Sequence, residues 1–188
     1  PLRDPNEYQT VFARHPGSAA APTAGLHFTD ELLNEVMERG VTVCKLTLHI
    51  GLDTFLPVSE PDPTNHPIHT EWCQVGEQVT RAVRQARQAG GRVVAVGTTS
   101  VRALETAARQ TASGDGLAPF EGSTDLFILP GFEFRIVDGM LTNFHLPRST
   151  LLMMVSAFAG RERILEAYAV AKAKGYRFYS FGDAMLIL

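Results

Sequence analysis

The run Val93-Val94-Ala95-Val96-Gly97-Thr98-Thr99-Ser100-Val101-Arg102 contains the change of period on which the fold is read. A short β-branched stretch ends at a glycine, hydroxyl residues follow, and Val101, Leu104 and Ala108 then recur at helical spacing. This pattern predicts strand, tight turn and helix, with those three side chains on the helix's inner face. At such a turn the first N–H groups of the helix and its dipole converge on one point, which suits a carboxylate, a phosphate or a ribose edge. In open α/β sheets ligands sit there, beyond the C-terminal ends of the strands. The glycine spacing matches neither the dinucleotide fingerprint nor the P-loop. The pattern alone therefore also describes an ordinary helix start with Arg102 in solvent.

Working back toward the N-terminus, Val75, Val79, Ala82, Val83 and Ala86 form a helical stripe that stops at Gly90-Gly91. Ahead of it, Pro57, Pro61, Pro63 and Pro67 exclude helix and central strand, which predicts a long loop. Val41 to Ile50 alternates, placing Leu46, Leu48 and Ile50 on one strand face and Lys45, Thr47 and His49 on the other. Thr29 is placed to cap a helix carrying Leu32, Leu33, Val36 and Met37 as far as Gly40. Residues 1–15 are expected to be a connecting segment from an upstream part, since the chain opens at Pro1 without an initiator Met.

Toward the C-terminus, 126–129 and 132–137 flank Pro130-Gly131, and Asp138-Gly139 leads into 140–144, a pattern of short strands with a hairpin at Asp-Gly. Ser149 is placed to cap an apolar helix over 150–159, Ile164, Leu165 and Tyr168 mark another, and Tyr176 to Phe181 resumes a strand. The alternation predicts an α/β domain of layered sheet and helices spanning 1–188, with a mainly parallel sheet and one antiparallel hairpin.

Composition is that of one ordinary globular domain: 188 residues, 45% hydrophobic and 20% charged. The longest apolar stretch, Leu151 to Gly160, is too short to span a bilayer. Cys44 and Cys73 do not make a disulfide framework, and no apolar signal segment opens the chain, so a cytoplasmic setting is expected. A formal charge of −3 speaks against coating nucleic acid by bulk charge but leaves room for a local basic face. Arg81, Arg84 and Arg87 on one helix, and Arg161, Arg163, Lys172, Lys174 and Arg177 around the last, are the visible choices for phosphate contacts, although such runs are usually solvated faces.

His27, His49 and His145 each follow an apolar residue beside a turn, and imidazole is the usual general acid or base near neutral pH. Each alone is readily structural; together they predict a shared cleft with Thr98. The string His66, His69, Glu71 invites a metal reading, but it lies at the Pro-rich loop and lacks the i, i+4 spacing of a helical zinc pair, so no metal site is expected.

Several motifs in one order carry a resemblance: Tyr8-Gln9-Thr10-Val11-Phe12-Ala13, Ala21-Pro22-Thr23-Ala24-Gly25-Leu26-His27-Phe28, Leu48-His49-Ile50-Gly51-Leu52, Gly97 to Arg102, Thr142-Asn143-Phe144-His145-Leu146-Pro147 and Gly182-Asp183-Ala184-Met185-Leu186-Ile187. The chain resembles the S-adenosylmethionine:tRNA ribosyltransferase-isomerase family over nearly its whole length. The resemblance implies a catalytic α/β domain, with the family's separate β-barrel domain largely absent from this chain. It implies transfer and isomerisation of the ribosyl unit of S-adenosylmethionine onto 7-aminomethyl-7-deazaguanine at the tRNA wobble position, giving epoxyqueuosine with release of adenine and methionine. S-adenosylmethionine would be a co-substrate and no cofactor would be held permanently. His27, His49 and His145 become the expected catalytic residues, and Thr23, Gly25, Thr98, Thr99, Ser100, Arg102 and Asn143 the expected substrate-binding ones. Asp53 and Arg148 depart from the family pattern, which has Gly and Lys there. The competing readings are a fragment that only binds RNA or an adenosyl ligand, and a methyltransferase, against which the missing glycine-rich loop counts.

Overall fold

The computed structural model describes residues 4–51, 58–111 and 116–188. Pro1, Leu52, Asp53 and Pro57 lie outside the described residues.

Helices form where caps and stripes predict them. Helix α1 (Asp30–Glu38) starts with the Leu32 N–H donating to Thr29 Oγ1 at 3.2 Å. Helix α2 (Glu77–Gln88) buries Val79 and Val83 and ends ahead of Gly90, whose φ of 72° favours glycine. Strand β3 (Val94–Val96) passes through Gly97 into α3 (Thr98–Arg109), and Val101, Leu104 and Ala108 all enter the core. Helix α4 (Thr150–Ala159) is capped by Ser149, which accepts from the Leu152 N–H at 3.1 Å, and α5 (Arg161–Ala173) follows.

The sheets depart from expectation. Strands β1 (Thr47–His49), β2 (Glu71–Val75) and β4 (Phe120–Thr124) form an antiparallel sheet in the order β1-β2-β4. A second sheet has the order β3-β5-β6, with β5 spanning Gly139–Asn143 and β6 Ala184–Ile187. Its β3·β5 pair is parallel and its β5·β6 pair antiparallel. The mainly parallel sheet is therefore corrected to two small, largely antiparallel sheets holding one parallel pair.

The local reasons are visible. No hairpin forms at Asp138-Gly139, because both N–H groups donate to the Val93 carbonyl at 2.8 and 3.1 Å while Asp138 Oδ2 accepts from the Val93 N–H at 2.8 Å. The dipeptide berths the start of β5 beside β3 instead of turning the chain. The alternating residues 132–137 form no strand either, because a side chain takes their N–H groups. Glu105 of α3, fully buried, accepts from Arg135 N–H at 2.9 Å, Ile136 N–H at 2.9 Å and Val137 N–H at 3.1 Å. Residues 176–181 turn rather than extend: Tyr176 N–H closes back on the Ala171 carbonyl, and Tyr179 adopts φ 75°. Their aromatic rings are drawn into a cluster in which Phe144 meets Tyr168, Tyr176 and Phe178 at 5.3–5.7 Å. The strand at Val41 to Ile50 shortens to β1.

Helix α3 packs against β2, β3, β4 and β5, and so against both sheets. Its charged residues are bonded accordingly. Arg102, 4% exposed, donates to Glu71 at 2.6 Å and to the carbonyls of His69, Thr124 and Leu126.

Glu105→Gln turns one accepting oxygen into a donor facing backbone N–H groups. It should lower stability by about 2–4 kcal/mol, read as the urea unfolding midpoint. A midpoint equal to that of the parent would show that residues 135–137 find other acceptors.

Candidate functional site

A cleft of about 530 Å³, counting its open mouth, lies beyond the C-terminal ends of the parallel pair β3 and β5. One wall is the 3-10 turn Thr23–His27 with Ala21 and Pro22 ahead of it. It is fixed to the end of β1 by the Ile50 N–H donating to Ser18 Oγ at 2.9 Å and the Ala19 N–H donating to the Ile50 carbonyl at 2.9 Å. Gly25 makes this packing possible, since a Cβ there would lie 2.7 Å from Phe12 Cζ and 2.9 Å from Thr10 Cγ2.

The floor is the turn into α3. Gly97 has φ 91°, a region that disfavours any residue with a Cβ, and its N–H donates to the Leu141 carbonyl of β5 at 2.8 Å. Among the described residues no side chain caps α3, whose first N–H groups start at a cleft lined by Gly97, Thr98 and Thr99. Thr142, Asn143 and His145 close the far side from the end of β5, Leu151 enters from α4, and Tyr179 and Ser180 come from the turn before β6.

The expected residues are distributed unevenly. Thr23, Thr98, Thr99, Asn143 and His145 line the cleft. His27 stands behind Asn143, with 3.0 Å between Asn143 Nδ2 and His27 Nε2. His49 is not among the lining residues; its ring packs on Trp72, with centroids 5.0 Å apart, opposite Gly17. Ser100 lies on the first turn of α3 but away from the lining. Arg102 has four of its five N–H groups engaged by protein acceptors, which gives it a structural role. Glu71 is thereby taken up as well, and His66 pairs with Glu60 at 2.7 Å. The hydrogen bond from His66, above all, holds the Glu60 carboxyl down at about 2. Among the described residues no cluster of His, Cys, Asp or Glu is arranged for a metal. Leu151, Tyr179 and Ser180 escaped the sequence reading, because the left-handed turn at Tyr179 leaves no compositional mark.

Burial pushes His145 down to about 4, so at neutral pH it is an uncharged imidazole, with Nε2 2.9 Å from Thr142 Oγ1. Its backbone N–H donates to the Tyr168 hydroxyl at 2.8 Å, and burial pushes that phenol up to about 12.

The sequence profile of the family described as queuosine biosynthesis protein matches residues 2–187. The chain belongs to the queuosine biosynthesis protein family. Curated members named S-adenosylmethionine:tRNA ribosyltransferase-isomerase are 57% identical in Caldanaerobacter subterraneus subsp. tengcongensis and 56% identical in Thermosynechococcus vestitus. Each match covers 100% of this chain and 54% and 52% of the respective relative. The chain thus spans about half the length of these queuosine biosynthesis relatives. A crystal structure of an S-adenosylmethionine tRNA ribosyltransferase from Thermotoga maritima superposes with TM-score 0.72 at 48% identity, covering 88% of this chain and 51% of that one.

His145 carries a pH signature. Between about pH 6.5, where an unfolded histidine titrates, and about 4, the unfolded chain binds a proton that the folded one refuses. Its burial therefore costs nothing above pH 6.5 and lowers stability as pH falls through that window, by about 2 kcal/mol at pH 5. Urea unfolding of the intact protein at pH 7.5 and pH 5 should show a smaller acid loss for His145→Gln than for the parent. Equal losses would mean that the imidazole is hydrated in the folded state.

Proposed function

We propose that the protein containing this chain is a tRNA-modifying transferase-isomerase: it moves the ribosyl unit of S-adenosylmethionine onto 7-aminomethyl-7-deazaguanine at the wobble position of tRNA. Adenine and methionine leave, and epoxyqueuosine is formed. The observation that carries the reading is the uncapped N-terminus of α3 at the cleft, faced by Thr23, Asn143 and His145, in a chain more than half identical to relatives bearing that enzyme's name.

The chemistry is consistent with these groups. A sulfonium acidifies the adjacent 5′ C–H, so a positioned base can begin the reaction and the sulfur can depart neutral. The modified base's amine then supplies a nucleophile. The ligand's carboxylate or sugar hydroxyls would accept from the leading N–H groups of α3, with the Thr98 and Thr99 hydroxyls alongside. Phosphate contacts would fall to exposed basic residues such as Arg81 and Arg84, since Arg87 is turned to the carbonyl of Ile136 and Arg177 to Asp183. No helix among the described residues is long and apolar enough to cross a membrane.

In the intact protein, assayed for adenine release with a tRNA acceptor carrying the deazaguanine base, Thr99→Val should lower the rate roughly ten- to a hundredfold. Thermal stability should be retained. Unchanged rates in Thr98→Val, Thr99→Val and Ser100→Ala alike would place the ligand elsewhere. S-adenosylhomocysteine as product would make the protein a methyltransferase, and binding without turnover a recognition module.

A further inference from the structure

Asn143 is buried, and its amide can be oriented without ambiguity. Its Nδ2 lies 3.2 Å from the Tyr179 carbonyl and 3.5 Å from that of Ser180, both of which only accept. Its Oδ1 lies 3.4 Å from the Thr23 hydroxyl, a donor. Exchanging oxygen and nitrogen would set Oδ1 against two carbonyl oxygens, so the group facing them is the NH2.

That same NH2 lies 3.0 Å from His27 Nε2. A donor at this distance requires a lone pair on Nε2. An Nε2–H, in either the other neutral tautomer or the imidazolium, would point at the amide hydrogens, and the amide cannot turn to welcome it. The backbone holding it is itself pinned: the Tyr179 carbonyl also accepts from the Gly182 N–H at 3.0 Å, and the Tyr179 N–H donates to the Phe144 carbonyl at 2.8 Å. Gly182 cannot be replaced in this turn, since a Cβ there would lie 2.5 Å from the Arg177 carbonyl oxygen.

We propose that Asn143 is a positioning residue that holds His27 as the neutral imidazole with its proton on Nδ1. This deepens the function proposed above and rests on it for its purpose. A sulfonium substrate is a cation, and an imidazolium behind the cleft wall would repel it. Asp183, in the turn ahead of β6, is a charged neighbour of His27. Its carboxylate is already engaged by the Arg177 N–H at 2.7 Å and guanidinium at 3.2 Å, whereas the amide of Asn143 faces Nε2 directly. With its Nε2 lone pair engaged, His27 carries its proton on Nδ1, which removes Nε2 from the role of general base.

The tautomer is read directly by long-range proton–nitrogen NMR of the intact, ¹⁵N-labelled protein at pH 7.5, with the His27 signals identified by their loss in His27→Gln. A protonated Nδ1 and a bare Nε2 are expected. A proton on Nε2 in the parent overturns the proposal without recourse to any variant at Asn143. Asn143→Asp substitutes an acceptor and should move the proton to Nε2 or add one there, read as the loss of the bare Nε2 signal. An Asn143→Asp protein that folds but keeps a bare Nε2 also overturns it. Absence of adenine release from a parent with the expected tautomer would sink the functional reading and leave the role of Asn143 standing.

Discussion

Everything positioned around the cleft depends on two charges buried on one helix. Arg102 and Glu105 are both almost fully inside, on a segment where nearly every residue from Thr98 to Ala108 is buried. Charges in such surroundings are tolerable only when paired and hydrogen-bonded, and removing one partner of such a pair typically costs about 3–5 kcal/mol. Arg102 binds α3 to β2 through Glu71 and to the segment around β4 through the Thr124 and Leu126 carbonyls. Glu105 binds it to residues 135–137, which lead into β5. Among the described residues the two sheets share no strand, and this helix packs against both. Because α3 is fixed along its length, its N-terminus is fixed too. Leading N–H groups that do not have to be ordered when a ligand arrives are worth more to binding than the same groups on a mobile loop.

The cleft itself is built from backbone that departs from regular structure. Gly97 and Tyr179 both have positive φ, one at the floor and one at the rim. For Gly97 this is nearly free, but for an aromatic residue it is strained, at about 1–2 kcal/mol. The strain is held by the hydrogen bonds of Tyr179 to Phe144, Gly182 and Asn143, so that its carbonyl is presented to the site at a defined angle. Aromatic packing of Phe144 against Tyr168, Tyr176 and Phe178 supports the same turn from behind.

The sequence made the helices legible because their determinants are local. Thr29 and Ser149 cap where a β-region residue with a hydroxyl precedes an apolar stripe, and the turn at Gly97 is announced by its own residues. The strands were less legible, because an alternating run specifies a face but not the partner for its N–H groups. Phe132, Phe134 and Ile136 alternate as a strand would, yet the adjacent N–H groups found a carboxylate some thirty positions earlier in the chain. Asp138-Gly139 has hairpin chemistry, and long-range bonds to Val93 overrode it. The site divides the same way. Thr98, Thr99, His145 and Asn143 could be named from turn-proximal polar residues and from the family motifs, whereas Arg102 looked like a ligand-binding group because its partner, Glu71, is distant in sequence.

The charge distribution of the cleft follows from these choices. None of its described lining residues carries a formal charge: Arg102 is neutralised within the fold, His145 is kept uncharged by burial, and the remaining polar groups are amide, hydroxyl and carbonyl. The positive potential that remains is the dipole of α3, directed from its N-terminus, while the carbonyl oxygens of Tyr179 and Ser180 are taken up by the Asn143 amide. A site of this kind discriminates by the placement of partial charges. It can face a carboxylate or sugar hydroxyl with the start of α3 without burying a protein charge that must be stripped of water as the ligand enters. For the sulfonium substrate proposed above, which would yield a neutral thioether, such a site would also avoid holding the cation by a strong ion pair. An ion pair of that sort would stabilise the ground state more than the transition state, in which the sulfonium charge is already diminishing.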